Sequence, residues 1–250
     1  MNRRVYQTVM VLSLVLLAAP VNAGPPPNPT PSDVAGNTAG GTDALLNNAS
    51  SSNTAFGRST LRSNTTGSFN TAGGAGALSS NTSGEDNTAS GFEALTANVA
   101  GSYNTAFGVK ALRNNLGGYN TANGAFTLSN NLGGEGNTAS GVYALFSNIM
   151  GGYNTASGFE ALTANFTGSY NTASGTRALS SNTTGSRNTA TGQGALGRNS
   201  TGSYNTASGY QALSSNTTGV INTAVGYNSD RKSTRLNSSH IQKSRMPSSA

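Results

Sequence analysis

The chain has 250 residues, of which 33 are glycine, 9% are charged and none is cysteine. The lack of cysteine excludes a disulfide framework and a thiolate metal site. The net charge of +6 does not indicate a nucleic-acid partner, because seven of the 14 basic residues lie at the two ends of the chain, and the other seven are balanced by seven acids between residues 24 and 229.

Residues 1–23 have the pattern of a secretory signal peptide. Arg3 and Arg4 form a positive start, Val9–Ala19 is an apolar run, and Val21–Ala23 places small residues before the expected cleavage point. The apolar run of 11 residues is too short to span a bilayer comfortably. An uncleaved membrane anchor is the alternative interpretation. Both predict export to a secreted or cell-surface location, with outer-membrane association as one form of it.

A proline-rich segment and a long repeat follow. Residues 24–36 contain five prolines and are predicted to form an extended linker. A unit of 17 residues then recurs as far as residue 229, with the consensus N-T-A-x-G-x-x-A-L-x-x-N-x-x-G-x-x. The period falls to 16 after the first and fifth copies. The copies start at Asn37, Asn53, Asn70, Asn87, Asn104, Asn120, Asn137, Asn154, Asn171, Asn188, Asn205 and Asn222.

The composition of the unit favours short strands. Its glycine, asparagine and threonine content disfavours helix, but 17 residues suffice for one coil of a solenoid. In a representative copy we expect a strand at Asn154–Gly158 with positions 3 and 5 facing inward, Leu162 in the core, and a turn at Asn165–Gly168. In the 16-residue fifth copy the missing residue lies between Asn115 and Gly118, which predicts a shorter turn there.

The fold class predicted for residues 37–229 is all-β, a parallel β-roll or β-solenoid of about twelve 17-residue coils. At about 4.8 Å per coil the rod would be roughly 55–60 Å long. Stacking in register would place Glu93 beside Lys110 and Glu160 beside Arg177, since each pair occupies one repeat position in adjacent copies. Such exposed pairs are evidence for register rather than a large source of stability.

The repeat stops within its twelfth copy, at Ser229. Asp230–His240 and Ser244–Ala250 resemble the translation of two parts of a sequencing-library adapter, and the three residues between them fit its index. A basic tail is the alternative. We expect residues 230–250 to be non-native read-through, which would make His240 and the high pI artefacts and would leave the native sequence after Ser229 missing.

The repeat contains no arrangement of residues typical of catalysis. With His240 set aside, no histidine or cysteine can act as a base, nucleophile or metal ligand. Glu93 and Glu160 lie four coils apart, about 19 Å by the strand spacing, which is too far for glycoside hydrolysis. Glu85 and Asp86 are adjacent at an exposed turn. The sequence therefore predicts no enzyme, no cofactor and no metal site.

Two columns of side chains could carry recognition. Aromatic residues recur just before the start of the repeat, and pairs in adjacent copies are predicted to stack. We prefer a structural ladder or an interface between chains over a sugar-binding stripe. Threonine recurs at position 2 in all twelve copies, which suggests an ice-binding array, but position 4 is mixed. The candidate ligand or interface ladder consists of Tyr103, Tyr119, Tyr153, Tyr170 and Tyr204.

The repeat resembles those of bacterial tail-fibre-domain proteins, in its NTASGxxALxxNTTGSYNTA texture. It is similar, more loosely, to the heads of trimeric autotransporter adhesins of the YadA type, whose shorter repeats have an S-V-A-I-G core where this chain has Asn171–Gly175. The resemblance covers Asn37–Ser229. It implies a homotrimer and, after Ser229, a self-cleaving chaperone domain or a membrane anchor. The small apolar content of each coil also favours oligomerisation.

Together these features predict an exported structural and adhesive repeat protein. It would form the stalk or head of a cell-surface or fibre-like assembly and would meet a cell-surface or glycan ligand, with no nucleic-acid partner. The alternative function is a carbohydrate- or ice-binding solenoid that uses the tyrosine or threonine ladder.

Overall fold

Twelve three-residue strands are the regular secondary structure of residues 35–229, the part of the chain that the computed structural model describes. The predictions for the signal peptide, for nearly all of the linker and for residues 230–250 lie outside the described residues. The strands are β1 (Thr38–Gly40), β2 (Thr54–Phe56), β3 (Thr71–Gly73), β4 (Thr88–Ser90), β5 (Thr105–Phe107), β6 (Thr121–Asn123), β7 (Thr138–Ser140), β8 (Thr155–Ser157), β9 (Thr172–Ser174), β10 (Thr189–Thr191), β11 (Thr206–Ser208) and β12 (Thr223–Val225).

The strands form one parallel sheet in which every neighbour in space is the neighbour in sequence, from β1 to β12. The register is the repeat itself: Thr155 pairs with Thr172, Ala156 with Ala173, and so on along the sheet. The predicted parallel β-solenoid is therefore confirmed. Each coil buries little on its own and depends on the coils on either side of it.

The core is a narrow column of small side chains and one leucine per coil. In the coil of β8, Ala156, Ala161 and Leu162 are all at most 1% exposed, as are their equivalents along most of the stack. The predicted core position of Leu162 is confirmed. Its φ of 52° is left-handed, which is uncommon for a leucine. The conformation is held because the Leu162 N–H donates to the Ala178 carbonyl of the next coil, at 3.0 Å.

The strand prediction was wrong in its extent and at one inward position. The strand of the representative coil is Thr155–Ser157 rather than Asn154–Gly158. Gly158 has a φ of 133° and is half-buried. A Cβ there would lie 2.7 Å from the carbonyl carbon and oxygen of Gly175. Position 5 therefore does not face the core; it turns the chain where two backbones approach each other along the stack.

A ladder of buried asparagines joins the coils at position 1, and the sequence analysis assigned it no interior role. The Oδ1 of Asn154 accepts from the backbone N–H of Asn171 at 2.9 Å and from its Nδ2 at 3.1 Å. The Nδ2 of Asn154 donates to the Oδ1 of Asn137 at 3.1 Å and to the Gly168 carbonyl at 2.8 Å. Each side chain thus finds its hydrogen-bond partners within the protein, which is the condition for burying it at low cost.

A second asparagine ladder runs parallel to the first at position 12. The Nδ2 of Asn165 donates to the Oδ1 of Asn148 at 2.7 Å and to the Gly168 carbonyl at 2.8 Å. The Gly168 carbonyl therefore receives one amide from each ladder. The predicted turn at Asn165–Gly168 is present, with the chain bending at Phe166 and Thr167. Its first residue, Asn165, is not exposed as in an ordinary turn: its side chain is buried and bonds the preceding coil.

The shorter fifth coil absorbs its missing residue in this turn, as predicted. The Nδ2 of Asn115 donates at 2.7 Å to the carbonyl of Gly117, two residues ahead, whereas in a 17-residue coil the Nδ2 of Asn165 reaches Gly168, three residues ahead. The first coil, which also has 16 residues, makes the same two-residue contact from Asn48 to Ser50. The asparagine ladder continues across the fifth coil without interruption, because Asn131 donates to Asn115 at 2.7 Å. The register of the stack is thus preserved through the shorter turn.

The charged pairs expected from the register are present. The Oε2 of Glu160 lies 2.6 Å from the Nε of Arg177, and the Oε2 of Glu93 lies 3.9 Å from the Nζ of Lys110. The Oε2 of Glu93 also lies 3.3 Å from the Nε of Arg113, which is in the same coil as Lys110.

Replacing Glu160 with glutamine should have only a small effect on stability. The Arg177 side chain is 63% exposed, so water and salt screen the pair, and we expect a loss of about 0–1 kcal/mol. Urea denaturation at low and at high salt measures it. A loss well above that range, or one unchanged by salt, would contradict this account of the pair.

Candidate functional site

The predicted tyrosine ladder lies at position 17, one residue before each coil begins. The rings of Tyr103 and Tyr119 are stacked with centroids 5.0 Å apart, and those of Tyr153 and Tyr170 with centroids 5.2 Å apart. Both pairs are within 7° of parallel. The stacking expected for these pairs is confirmed, and it follows from the spacing of adjacent coils.

The fifth tyrosine joins the column through an arginine. The Arg187 guanidinium carbon lies 5.5 Å from the Tyr170 ring centroid and 5.4 Å from that of Tyr204. Its Nη1 also donates to the Tyr204 hydroxyl at 2.7 Å. Sequence reasoning missed Arg187 because it searched position 17 for aromatic residues only, although a cation fits between two rings equally well.

The column is therefore divided into two groups. Tyr103 and Tyr119 form one, and Tyr153, Tyr170, Arg187 and Tyr204 form the other. Gly136 occupies position 17 between the two groups. The five predicted tyrosines are exposed but do not make one continuous site.

The stacking geometry limits what the tyrosines can bind. Although each predicted tyrosine is at least half exposed, the inner faces of each stacked pair are turned toward one another, so a ligand cannot stack between the paired rings. A sugar that stacks on an aromatic platform needs an open face. The arrangement therefore favours the structural interpretation of the column, in which each stacked pair contributes about 0.5–1.5 kcal/mol beyond its area.

The outer surface of the sheet is a second ordered array. Because Ala at position 3 faces the core, positions 2 and 4 of each strand face solvent. Threonine occupies position 2 on all twelve strands in exact register. On five consecutive strands, β7 to β11, position 4 also carries a hydroxyl, and these residues are Ser140, Ser157, Ser174, Thr191 and Ser208.

The described part of the chain contains neither a cluster of metal-ligating side chains nor a membrane-spanning helix. Between residues 35 and 229, no three His, Cys, Asp or Glu side chains come close enough together to hold a metal ion. Nor does that range contain a helix with the length and apolar character needed to cross a bilayer.

Comparison with known proteins places no further constraint on the function. No family model matches the chain, and no curated protein or solved structure is significantly similar to it. The resemblance to tail-fibre-domain proteins and to autotransporter heads therefore stays a prediction, and the function is argued from the geometry of the coils.

Proposed function

We propose that the chain is an exported, non-catalytic rod that serves as the stalk or head of a cell-surface or fibre-like assembly. The observation that supports this most is the use of the interior. Between residues 35 and 229 the interior side chains are mainly alanines, leucines and asparagines that bond the neighbouring coil. Thr60 and Thr127 replace the buried alanine in two coils, and each hydroxyl donates to a carbonyl of the next coil. The interior holds the stack together, and variable residues are confined to its outer surfaces, where contacts with other molecules are made.

The outer surface also supports association of several chains. Over five consecutive coils, those of β4 to β8, position 6 is apolar throughout, and so is position 13. Exposed members at position 6 are Phe92, Val109, Val142 and Phe159, and those at position 13 are Val99, Leu116, Leu132 and Phe166. Contiguous exposed apolar patches of this kind usually mark interfaces.

Two different apolar stripes suit a cyclic trimer. A ring of three chains uses a heterologous interface, in which one patch of each chain meets a different patch of the next. Position 6 and position 13 provide such a pair on one rod, and both stripes end together before the coil of β9, where Thr176 and Thr183 occupy these positions. We therefore propose a homotrimer joined along the coils of β4 to β8.

Analytical ultracentrifugation of residues 24–229 at micromolar concentration tests the trimer. We expect a trimer for the native sequence and a shift toward monomer, by tenfold or more in dissociation constant, when Val142 and Phe159 are both replaced by serine. Replacing Thr176 and Gln193 with serine, at the same position in later coils, is the matched control. A clean monomer for the native sequence would overturn the proposal.

The hydroxyl array on β7 to β11 favours a second candidate function, binding to ice or to an ordered polysaccharide surface. Its regular rows of Thr and Ser could match an ordered partner. Inhibition of ice recrystallisation and a glycan array are the tests, with Thr155→Leu and Thr172→Leu on the array and Tyr153→Ala and Tyr170→Ala on the ladder. Loss of binding only in the threonine variants would support the array, and no binding by the native chain would exclude this function.

A further inference from the structure

A groove of about 410 Å³ crosses the outer surface of the three coils that contain β9, β10 and β11. Arg177 lies at one wall, in the first of these coils, and Gln211 at the opposite wall, in the third. Gly194 and Gly197 of the middle coil lie between them, and Arg198 lies beside Gly197. Serines from the first and third coils complete the lining.

The groove exists because the middle coil lacks two side chains. Position 7 is Arg177, Gly194 and Gln211 in the three coils, and position 10 is Ser180, Gly197 and Ser214. No other copy of the repeat has glycine at both positions. The pair of glycines therefore opens a gap one coil wide between two rows of side chains.

The backbone does not require glycine at these positions. Gly194 has a φ of 66°, but Arg177 and Gln211 adopt 57° and 52° at the equivalent position. Gly197 has no left-handed φ, and serine occupies the same place in both neighbouring coils. A Cβ on Gly197 would lie 3.0 Å from the Gly194 carbonyl oxygen, a close contact within the same coil. A Cβ on Gly194 would meet only the flexible Gln211 side chain, at 3.3 Å from its Cγ. The two glycines thus leave room at the surface without serving the fold.

The lining is rich in hydrogen-bond donors and carries the uncompensated positive charge of Arg198. Arg198 is exposed and makes no ion pair or hydrogen bond with the described residues. Arg177 is paired with Glu160 of the preceding coil, with its Nε 2.6 Å from the Glu160 Oε2, and its guanidinium carbon lies 6.0 Å from the Phe159 ring centroid. Its terminal N–H groups make no bond to the described residues, so Arg177 can still donate to a ligand, but its charge is already compensated. No acid lines the groove. Guanidinium groups bind anionic oxygens strongly and in pairs.

We propose that this groove binds the acidic sugar of a surface glycan, with its anionic group held by Arg177 and Arg198 and its hydroxyls held by Gln211 and the lining serines. The volume lies within the range of small-molecule sites and exceeds what an inorganic ion needs. A carboxylate and a sulfate ester share the required chemistry. The proposal rests on the adhesive function proposed above and gives it a ligand class.

Ligand-observed NMR titration of the full chain tests the groove. The probes are glucuronic acid, glucose 6-sulfate and glucose, and the first two distinguish a carboxylate ligand from a sulfate ligand. We expect at least one acidic sugar to bind at least tenfold more tightly than glucose. Equal binding of glucose, or no binding of either acidic sugar, would overturn the proposal.

Two variants localise the binding. The double variant Gly194→Gln with Gly197→Ser restores the residues of the neighbouring coils and fills the groove. Arg198→Gln removes one charge from an exposed position and should leave the fold intact. Each is expected to weaken binding of the acidic sugar tenfold or more, while Gly73→Ser, on open surface at β3, should bind like the native chain. Native-like binding by Arg198→Gln and the filled variant would place the sugar elsewhere and overturn the assignment.

The outcome can be separated from that of the proposed function. Attachment of the chain to cells that persists unchanged in the filled variant would leave the adhesive function standing and overturn the groove as its site. Binding of the acidic sugar by a chain that does not attach to any glycan-bearing surface would support the groove and contradict the adhesive function.

Discussion

Replacing Gly74 with alanine is expected to destabilise the stack by about 3–5 kcal/mol, while the same change at the preceding residue, Gly73, should be slightly stabilising. Gly74 has a φ of 115°, and an added Cβ would lie 2.7 Å from the Gly91 carbonyl oxygen and 2.8 Å from its carbonyl carbon. These are backbone atoms of the next coil and cannot move aside. The cost combines an unfavourable backbone conformation with a steric clash.

Gly73 is a matched control within the same coil. No heavy atom lies within 4 Å of the place where its Cβ would be. Alanine there should stabilise by about 0.4–1 kcal/mol, because it reduces the freedom of the unfolded chain. Urea denaturation of the two variants measures the difference, and hydrogen exchange of the Leu78 and Leu95 amides shows whether the loss is local. Equal effects of the two substitutions would contradict the close backbone approach at position 5.

Replacing Asn137 with alanine should cost about 3–4 kcal/mol. The buried backbone N–H of Asn154 donates to the Asn137 Oδ1 at 2.9 Å and would lose that partner, and the Asn154 Nδ2 would lose its bond of 3.1 Å. Water cannot replace them, since Asn137 and Asn154 are both 0% exposed. The loss combines unsatisfied donors with the cavity left by the side chain.

Thr138→Ala provides the control for the ladder. Thr138 follows Asn137 directly but faces solvent from β7, so its removal should change stability by no more than about 0.5 kcal/mol. Denaturant unfolding compares the two variants, and proton exchange of the Asn154 amide reports on the broken rung. If both substitutions changed stability equally, the buried asparagine ladder would not stabilise the stack in the way that its hydrogen bonds indicate.

The predictions that depended on the period were confirmed. Copies that share one consensus stack with equivalent positions side by side, so the neighbours of Glu160 and Tyr153 could be named from their repeat positions alone. The shorter turn near Asn115 could be predicted for the same reason. These inferences required that adjacent copies lie side by side and needed no knowledge of the path of each coil.

The interior asparagines could not be recognised in the same way. Asn165 stands before glycine in an N-x-x-G segment, which is typical of an exposed turn. An amide becomes favourable inside a core only when a partner of the right geometry is supplied one coil away, and a single unit does not contain that partner. The left-handed leucines, such as Leu162, were missed for a related reason, because the stack rather than local preference holds them.

The candidate site, too, could be predicted from the repeat only in part. The pairing of Tyr153 with Tyr170 follows from the period, but the orientation of their rings, which decides whether a ligand can stack on them, does not. The groove at Gly194 and Gly197 was also hidden, since two more glycines do not stand out among 33. They become informative when neighbouring coils are seen to hold side chains in the same conformation.

The asparagine ladders also give the rod a direction of assembly. At each step the later coil donates and the earlier coil accepts, as when the backbone N–H and the Nδ2 of Asn171 both bind the Oδ1 of Asn154. A ribosome delivers the earlier coil first. Each folded coil therefore presents a positioned hydrogen-bond acceptor to the segment that follows it in the sequence. The next coil can then fold against the previous one, and the asparagine contacts keep it in register.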